Sequence, residues 1–156
     1  MIKIIRNALI IMLGLILLGG TIVAITARTD QPPANLGVRE GRLQPCPATP
    51  NCVATQAVTL PEFQMQPLIY NGSRQDAHAR LLAIVAAMPR STVLVNQPDY
   101  IHIQFRSRVF GFGDDVEFYL PPDRSSIEFR AAARMGRSDL GVNQQRMQAI
   151  IEAFNR

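Results

Sequence analysis

The chain has 156 residues, of which 47% are hydrophobic and 18% are charged, with sixteen Lys or Arg, twelve Asp or Glu and two Cys. This length allows one ordinary domain and a short extension. Beyond residue 28 the chain carries thirteen Arg against twelve acids, a net charge of +1. A basic nucleic-acid-binding face is therefore not expected, and the periodic apolar segments described below exclude fibrous and disordered classes.

The first element is an uncharged segment of twenty residues, 8–27, with the sequence ALIIMLGLILLGGTIVAITA. As a helix it would be roughly 30 Å long, the thickness of a bilayer core. Lys3 and Arg6 precede it, whereas Arg28 and Asp30 follow it and nearly cancel. The positive-inside rule then predicts a cytoplasmic N-terminus and an exported domain. Residues 1–28 are predicted to be a membrane anchor that contacts the bilayer through 8–27.

A cleaved signal peptide is the alternative. Its apolar region usually runs about 7 to 15 residues and ends in small residues at the cleavage site. Here the run is longer, and the best site, Ile25-Thr26-Ala27, begins with a large residue. We favour an uncleaved single-pass anchor, with most of the chain on the periplasmic or extracytoplasmic side of the membrane.

Residues 29–44 are rich in Pro, Gly and Gln, and they are predicted to be a tether, followed by a domain over 45–156. The domain begins with a loop between Cys46 and Cys52, the only cysteines of the chain. In an oxidising compartment two cysteines this close are expected to form a disulfide. A zinc site is disfavoured by the five-residue gap, and a cysteine nucleophile by the lack of an adjacent base. No metal, cofactor or catalytic residue is assigned.

Periodicity predicts the elements of this domain in chain order. Residues 62–70 suit an edge strand broken by Pro67. Ser73 is predicted to cap a helix that ends at Pro89. Strands are predicted at 92–96, 100–109, 115–120 and 126–133, and the last helix begins between Ser138 and Asn143. The order β-α-β-β-β-β-α predicts an α+β domain, an antiparallel sheet packed on two helices.

The two hairpin loops predict which residues face each other across the sheet. A two-residue turn at 111–112 would place Arg106 opposite Glu117 and Arg108 opposite Asp115. A four-residue loop at 122–125 would place Glu117 opposite Arg130. These charged residues share the face that points away from the core, because side chains alternate along a strand.

This charged face has three interpretations. Cross-strand ion pairs on a solvated surface would contribute little. An Arg-lined surface would instead suit an anionic ligand or partner, because the guanidinium matches phosphate and carboxylate. A hydrolase or isomerase would use Asp115 or Glu117 with His102, although no nucleophile, metal set or phosphate loop accompanies them.

The segment before the last helix is a second candidate binding region. Ser138 and Asp139 can cap the helix themselves, which is the routine use of such residues. If an anion occupied the free backbone N–H groups instead, Arg137 would be its natural partner.

Three blocks of sequence resemble family 1499 of the domains of unknown function. The first is 45–47 (PCP) with 50–53 (PNCV), the second is 105–108 (FRSR) with 111–112 (GF) and 114–118 (DDVEF), and the third is 136–143 (GRSDLGVN) before Arg146. The blocks occur in order within residues 43–156. Ala54-Thr55 stand where two serines are expected, and Gln144-Gln145 where basic residues are expected. The resemblance implies a domain type and no established activity.

These features together predict an exported, membrane-tethered domain that serves as a binding or accessory module. Its partner would be a membrane complex, an envelope component or an anionic ligand, and no nucleic acid is expected. The alternatives are the hydrolase or isomerase and a lipid carrier with an apolar cavity between the sheet and the last helix.

Overall fold

A computed structural model describes residues 2–156, so that only Met1 of the predicted anchor lies outside the described chain. The helices are α1 (Ile2–Thr29), α2 (Arg74–Ala86) and α3 (Val142–Phe154), with a short 3₁₀ helix at Pro61–Phe63. The strands are β1 (Cys52–Ala54), β2 (Leu68–Ile69), β3 (Ser91–Gln97), β4 (Tyr100–Arg106), β5 (Gly113–Tyr119) and β6 (Ser126–Ala133).

Helix α1 is long and apolar enough to cross a bilayer, a property that a membrane anchor shares with a signal sequence. Its side chains are exposed along nearly the whole length, and Ala27 is its one fully buried residue among those described. Because an exposed apolar helix is unfavourable in water, α1 requires a nonpolar surrounding that the rest of the chain does not provide.

The domain is α+β, as predicted. The strands form an antiparallel six-stranded sheet in the order β1-β6-β5-β4-β3, and β2 pairs with the first residues of β6. Helices α2 and α3 pack together on one face, which carries the hydrophobic core. Ser73 caps α2, because its hydroxyl accepts a hydrogen bond from the backbone N–H of Asp76 at 3.0 Å. The following core residues are completely buried: Leu81, Val85, Ile101, Ile103, Val116, Phe118, Leu120, Ile127, Phe129, Ala131, Met147 and Ile150.

The predicted edge strand at 62–70 is only partly correct. Just Leu68–Ile69 pairs with β6, and Pro61–Phe63 is helical instead. Pro67 has no N–H to donate to a neighbouring strand, which ends the pairing there. The remaining length of this edge of β6 is covered by β1, a three-residue strand that the loop-rich composition did not predict.

The predicted β4–β5 register is wrong by four residues. Arg106 lies opposite Gly113 rather than Glu117. The reason is a wider loop, 107–112, in which the Ser107 hydroxyl accepts a hydrogen bond from the Phe112 N–H at 2.9 Å. Arg108 is therefore an exposed loop residue and does not face Asp115. Since the shift is even, the predicted faces of the sheet are nevertheless correct.

The β5–β6 register agrees with the prediction. Glu117 lies opposite Arg130, and Phe118 lies opposite Phe129. The predicted position of the last helix is also confirmed, since α3 begins at Val142.

The predicted disulfide between Cys46 and Cys52 is present. Both cysteines are buried against Ala54 and Ala132, so the bond attaches the segment at Cys46 to the start of β1, which itself pairs with β6. Within the same loop, the Asn51 side-chain N–H donates to the Gly136 carbonyl at 2.7 Å. The loop thereby also contacts the segment that leads into α3.

We expect the double substitution Cys46→Ala with Cys52→Ala to lower the free energy of unfolding by about 2 kcal/mol, because a short closed loop no longer restricts the unfolded chain. Urea unfolding of the full chain in detergent micelles measures this. Added reductant should destabilise the wild type by a similar amount and leave the variant unchanged. Equal stability of the two proteins would contradict the prediction.

Candidate functional site

The face of the sheet opposite the core is polar, and it is buried. We call this face the polar face. Glu117 is 0% exposed, Asp115 is 2% exposed and His102 is 5% exposed. The polar face is therefore not the solvated surface that the sequence favoured as one interpretation. Its charged and titratable members are Tyr100, His102, Arg106, Asp115, Glu117, Tyr119, Glu128, Arg130 and Arg134.

The cover of the polar face is the tether. The Asp30 carboxylate accepts hydrogen bonds from Arg106 and Arg134, the latter at 3.3 Å. Farther along, the Gly37 N–H donates to a Glu117 carboxylate oxygen at 2.7 Å. Leu43, which is 3% exposed, packs between two tyrosines at the far end of β4 and β5. Residues 30–43 therefore form a third layer over the sheet.

Asp115 lies at the centre of the polar face. Arg134 donates to both of its carboxylate oxygens, at 2.7 and 2.8 Å, and the His102 ring nitrogen Nε2 lies 2.8 Å from one of them. Burial alone would raise the pKa of Asp115, but the hydrogen bonds from Arg134 and His102 outweigh burial and hold the pKa below its usual value. Asp115 is therefore a carboxylate at neutral pH.

Glu117 has a separate set of partners. The Tyr100 hydroxyl donates to it at 2.8 Å, and an Arg130 N–H donates at 3.4 Å. Burial, reinforced by the Glu117 carboxylate, raises the pKa of Tyr100, so this hydroxyl keeps its proton and acts as a donor. With Asp30 and Glu128, the polar face thus holds four carboxylates and three guanidiniums, and Arg124 pairs with Glu128 at its edge.

The His102–Asp115 pair resembles the base and orienting acid of a catalytic site, but its surroundings favour a structural role. Asp115 is fully engaged by Arg134, and both members of the pair are buried beneath the tether. Catalysis would need a substrate within hydrogen-bond reach of the base. Among residues 2–156, no group of three or more His, Cys, Asp or Glu is arranged to hold a metal ion.

The other candidate residues lie at the end of the sheet from which α1 emerges. Arg137 is exposed there, as is Arg108. The Asp139 carboxylate accepts hydrogen bonds from the backbone N–H groups of Gly141 and Asn143, at 3.0 and 2.9 Å. Ser138 accepts one from the Leu140 N–H at 3.2 Å. These side chains occupy the donors that an anion at the start of α3 would need.

Sequence reasoning did not select two residues on which the polar face depends. Arg134 lies four residues after Arg130 and directly follows β6. The two-residue alternation that places Arg130 on the polar face could therefore have placed Arg134 there too. Asp30 is the first acidic residue of the chain, and its position just after the apolar segment was interpreted only as a topology signal. No local pattern shows that it pairs with residues more than seventy positions away.

Two glycines allow the end of α1 to approach the sheet. A side-chain carbon at Gly113 would lie 2.8 Å from the Asp30 carboxylate, and one at Gly111 would lie 2.8 Å from the Arg28 side chain. Gly111 also has a φ of +79°, which favours glycine. The Arg106 guanidinium completes this junction by donating to the backbone carbonyls of Ala27 and Gly111.

A cavity of about 410 Å³ lies at the same junction. It is bounded by α1 on one side and by the loops before β5 and before α3 on the other. Apolar and polar residues contribute to its wall: Val23, Ser107, Phe112, Asp114, Ala133, Met135, Gly136, Ser138, Asp139 and Val142. We call this space the junction cavity. Such a mixed lining suits an amphipathic ligand.

A family model for a protein of unknown function, DUF1499, matches residues 42–154. The chain belongs to the DUF1499 family. No curated protein and no solved structure matches the chain. The match confirms the resemblance carried by the three sequence blocks, and it covers the whole sheet with α2 and α3.

The DUF1499 match begins after most of the tether. Asp115, Glu117 and Arg134 lie inside it, whereas Asp30 and Gly37, which complete their hydrogen bonds, lie outside it. In this chain the polar face of the DUF1499 domain is therefore closed by residues that precede the matched region.

A larger groove of about 610 Å³ lies between α2 and β3. Its lining is mainly polar, and it is remote from the junction cavity. The residues are Arg74, Gln75, His78, Asn96, Gln97 and Pro98. No cluster of apolar side chains there offers a ligand the desolvation that binding usually requires.

We expect Asp30→Asn to lower the free energy of unfolding by about 2 kcal/mol, because the largely buried Arg106 loses the carboxylate that pairs with it and Arg134 keeps only Asp115. It should also speed trypsin cleavage after Arg39 and Arg42 by releasing the tether. The full chain in detergent micelles serves for both measurements. The control Asp123→Asn removes an exposed carboxylate and should change stability by less than about 0.5 kcal/mol. Equal effects of the two substitutions would contradict the role assigned to Asp30.

The two neighbouring aspartates should respond to pH in opposite directions. A lowered folded-state pKa means that Asp115 contributes stability above its unfolded pKa, which is lost as the pH falls through the folded pKa. Asp115→Asn should therefore destabilise the chain at pH 7 and weaken the loss of stability on acidification. Burial raises the pKa of Asp114 despite its contact with Arg146, so its contribution is greatest in acid and declines as the pH rises.

Thermal unfolding of the wild type, Asp115→Asn and Asp114→Asn between pH 3 and pH 7 tests this contrast. Asp114→Asn should cost less stability at pH 7 than Asp115→Asn. The assignment is wrong if both variants show the same change in pH dependence.

Proposed function

We propose that this protein is a membrane-tethered binding module that holds the apolar part of a lipid in the junction cavity. In this proposal α1 is an uncleaved anchor with a cytoplasmic N-terminus, and the DUF1499 domain lies on the exported side. The chain thus acts as an accessory protein of the envelope membrane.

The observation that carries the proposal is the composition of the cavity wall. Val23 belongs to the apolar stretch of α1, whereas Phe112, Met135 and Val142 belong to the domain. With α1 in a bilayer, Val23 would lie close to the membrane surface, since the apolar stretch ends only four residues later. A lipid could then enter the cavity laterally without crossing water.

Two earlier alternatives receive less support from the geometry. An anionic ligand on the polar face would have to displace Asp30 from Arg106 and Arg134. A lipid between the sheet and the last helix would have to displace Met147, Ile150 and Phe154, which fill that space and are at most 3% exposed. The junction cavity requires neither displacement.

Retention of α1 is supported by its contacts with the domain. Cleavage after Ala27, the best signal-peptide site, would remove the carbonyl that accepts from Arg106 and the Val23 wall of the cavity. A cleaved chain would thus lose a hydrogen bond between Arg106 and α1 and one wall of the cavity.

Native mass spectrometry of the full chain, extracted from membranes in mild detergent, tests the anchor and the ligand together. The expected spectrum has the mass of the chain with residues 1–28 and a lipid adduct. Ala133→Phe fills the cavity and should reduce the adduct at least about tenfold, because a steric clash removes more than the roughly 1.4 kcal/mol that corresponds to a factor of ten. The matched control is Ala79→Phe, at an exposed position on α2, and it should retain the lipid.

A chain that lacks residues 1–28 would overturn the anchor. An intact chain without lipid, or with lipid that Ala133→Phe does not affect, would overturn the ligand assignment. An adduct of protein rather than lipid would also contradict it.

A further inference from the structure

Two loops at the α1 end of the domain expose apolar side chains that the fold does not use. In loop 107–112, Val109 is 70% exposed and Phe110 is 40% exposed. In the segment before α3, Leu140 is 88% exposed. These three side chains are distinct from the lining of the junction cavity. We call them the apolar foot.

The conformation of Leu140 adds to this observation. Its φ of 56° lies in the left-handed region, which branched and bulky residues rarely adopt. Glycine or asparagine would adopt this backbone conformation at a lower energetic cost than leucine. A polar side chain would be more usual at a position so exposed to water. A leucine that is both strained and exposed indicates a contact outside the domain.

The foot is continuous with the end of α1. Gly111, next to Phe110, packs against the Arg28 side chain, and the Phe110 ring lies 5.6 Å from the ring of Phe112 in the cavity wall. On the second loop, Asp139 and Val142 line the same cavity as Val23, and Leu140 lies between them in the sequence. Both loops therefore border the point at which α1 leaves the domain.

Basic side chains accompany the foot on both loops. Arg108 precedes Val109, and Arg137 lies three residues before Leu140; both are exposed. Neither forms an ion pair with a carboxylate in the described part of the chain. Apolar tips flanked by arginine are typical of surfaces that enter the interfacial region of a membrane and contact anionic headgroups.

We propose that Val109, Phe110 and Leu140 insert into the lipid interface beside α1, while Arg108 and Arg137 bind anionic headgroups. This inference rests on the proposed anchoring of α1, but not on a lipid in the junction cavity. The foot would add a second membrane contact and hold the domain against the bilayer instead of leaving it to move about a single helix.

The chain contains no tryptophan, so one introduced tryptophan reports on one position. The full chain is reconstituted into vesicles of phosphatidylcholine and phosphatidylglycerol, with or without bromine on the acyl chains. Brominated lipid should reduce the fluorescence of Val109→Trp by about half, because an interfacial side chain lies within reach of the upper acyl chain. Leu140→Trp repeats the measurement on the second loop.

The matched control is Ile69→Trp. Ile69 is 64% exposed and pairs with Ser126 at the opposite end of β6, so its fluorescence should not change. Leu15→Trp, in the middle of α1, reports separately on the anchor and should be quenched strongly. Substituting glutamine for Arg108 and Arg137 in Val109→Trp should remove any extra quenching that phosphatidylglycerol causes over phosphatidylcholine alone.

The outcomes separate the two proposals. Quenching at Leu15 without quenching at Val109 and Leu140 would overturn the foot and leave the anchor intact. Absence of quenching at Leu15 would overturn the anchor. Equal quenching at Ile69 and Val109 would show nonspecific adsorption of the domain and would also overturn the foot.

Discussion

The bidentate pair between Asp115 and Arg134 is the interaction on which the polar face depends. Both side chains are almost completely buried, and a buried ion pair repays its desolvation only when its remaining hydrogen-bonding groups are also satisfied. His102 and Asp30 satisfy them, and Asp30 comes from the tether. The tether that buries this ion pair therefore also supplies part of the hydrogen bonding that the buried pair needs.

This dependence links the domain to α1. The same Asp30 carboxylate that contacts Arg134 also contacts Arg106, whose guanidinium reaches the last turn of α1. Glycines at 111 and 113 let this turn approach the backbone of the β4–β5 loop. A chain segment whose composition is typical of a flexible linker is thus fixed by hydrogen bonds at several points, and it determines how the domain is oriented on its helix.

The sequence predicted the fold class, the helices and the faces of the sheet because these depend on local periodicity. It also predicted the β5–β6 register, since the loop at 122–125 behaves as an ordinary hairpin connection. The β4–β5 register failed, because a hydrogen bond from Phe112 to the Ser107 side chain closes a wider loop than the Gly-Phe pair suggested. Arg106 and Glu117 were correctly assigned to one face, and Arg130 was correctly placed beside Glu117, but only the structure identified Asp30 as the partner of Arg106 and Tyr100 as a partner of Glu117.

By itself the sequence determined an apolar helix able to cross a membrane, a disulfide loop and an α+β domain of the DUF1499 family. Each of these follows from residues close together in the chain. Only the tertiary structure decided that the charged face is buried beneath the tether and that a cavity opens beside α1. The contacts responsible join residues far apart in sequence, such as Asp30 and Arg134, and no local pattern of hydrophobicity or charge encodes such a pairing.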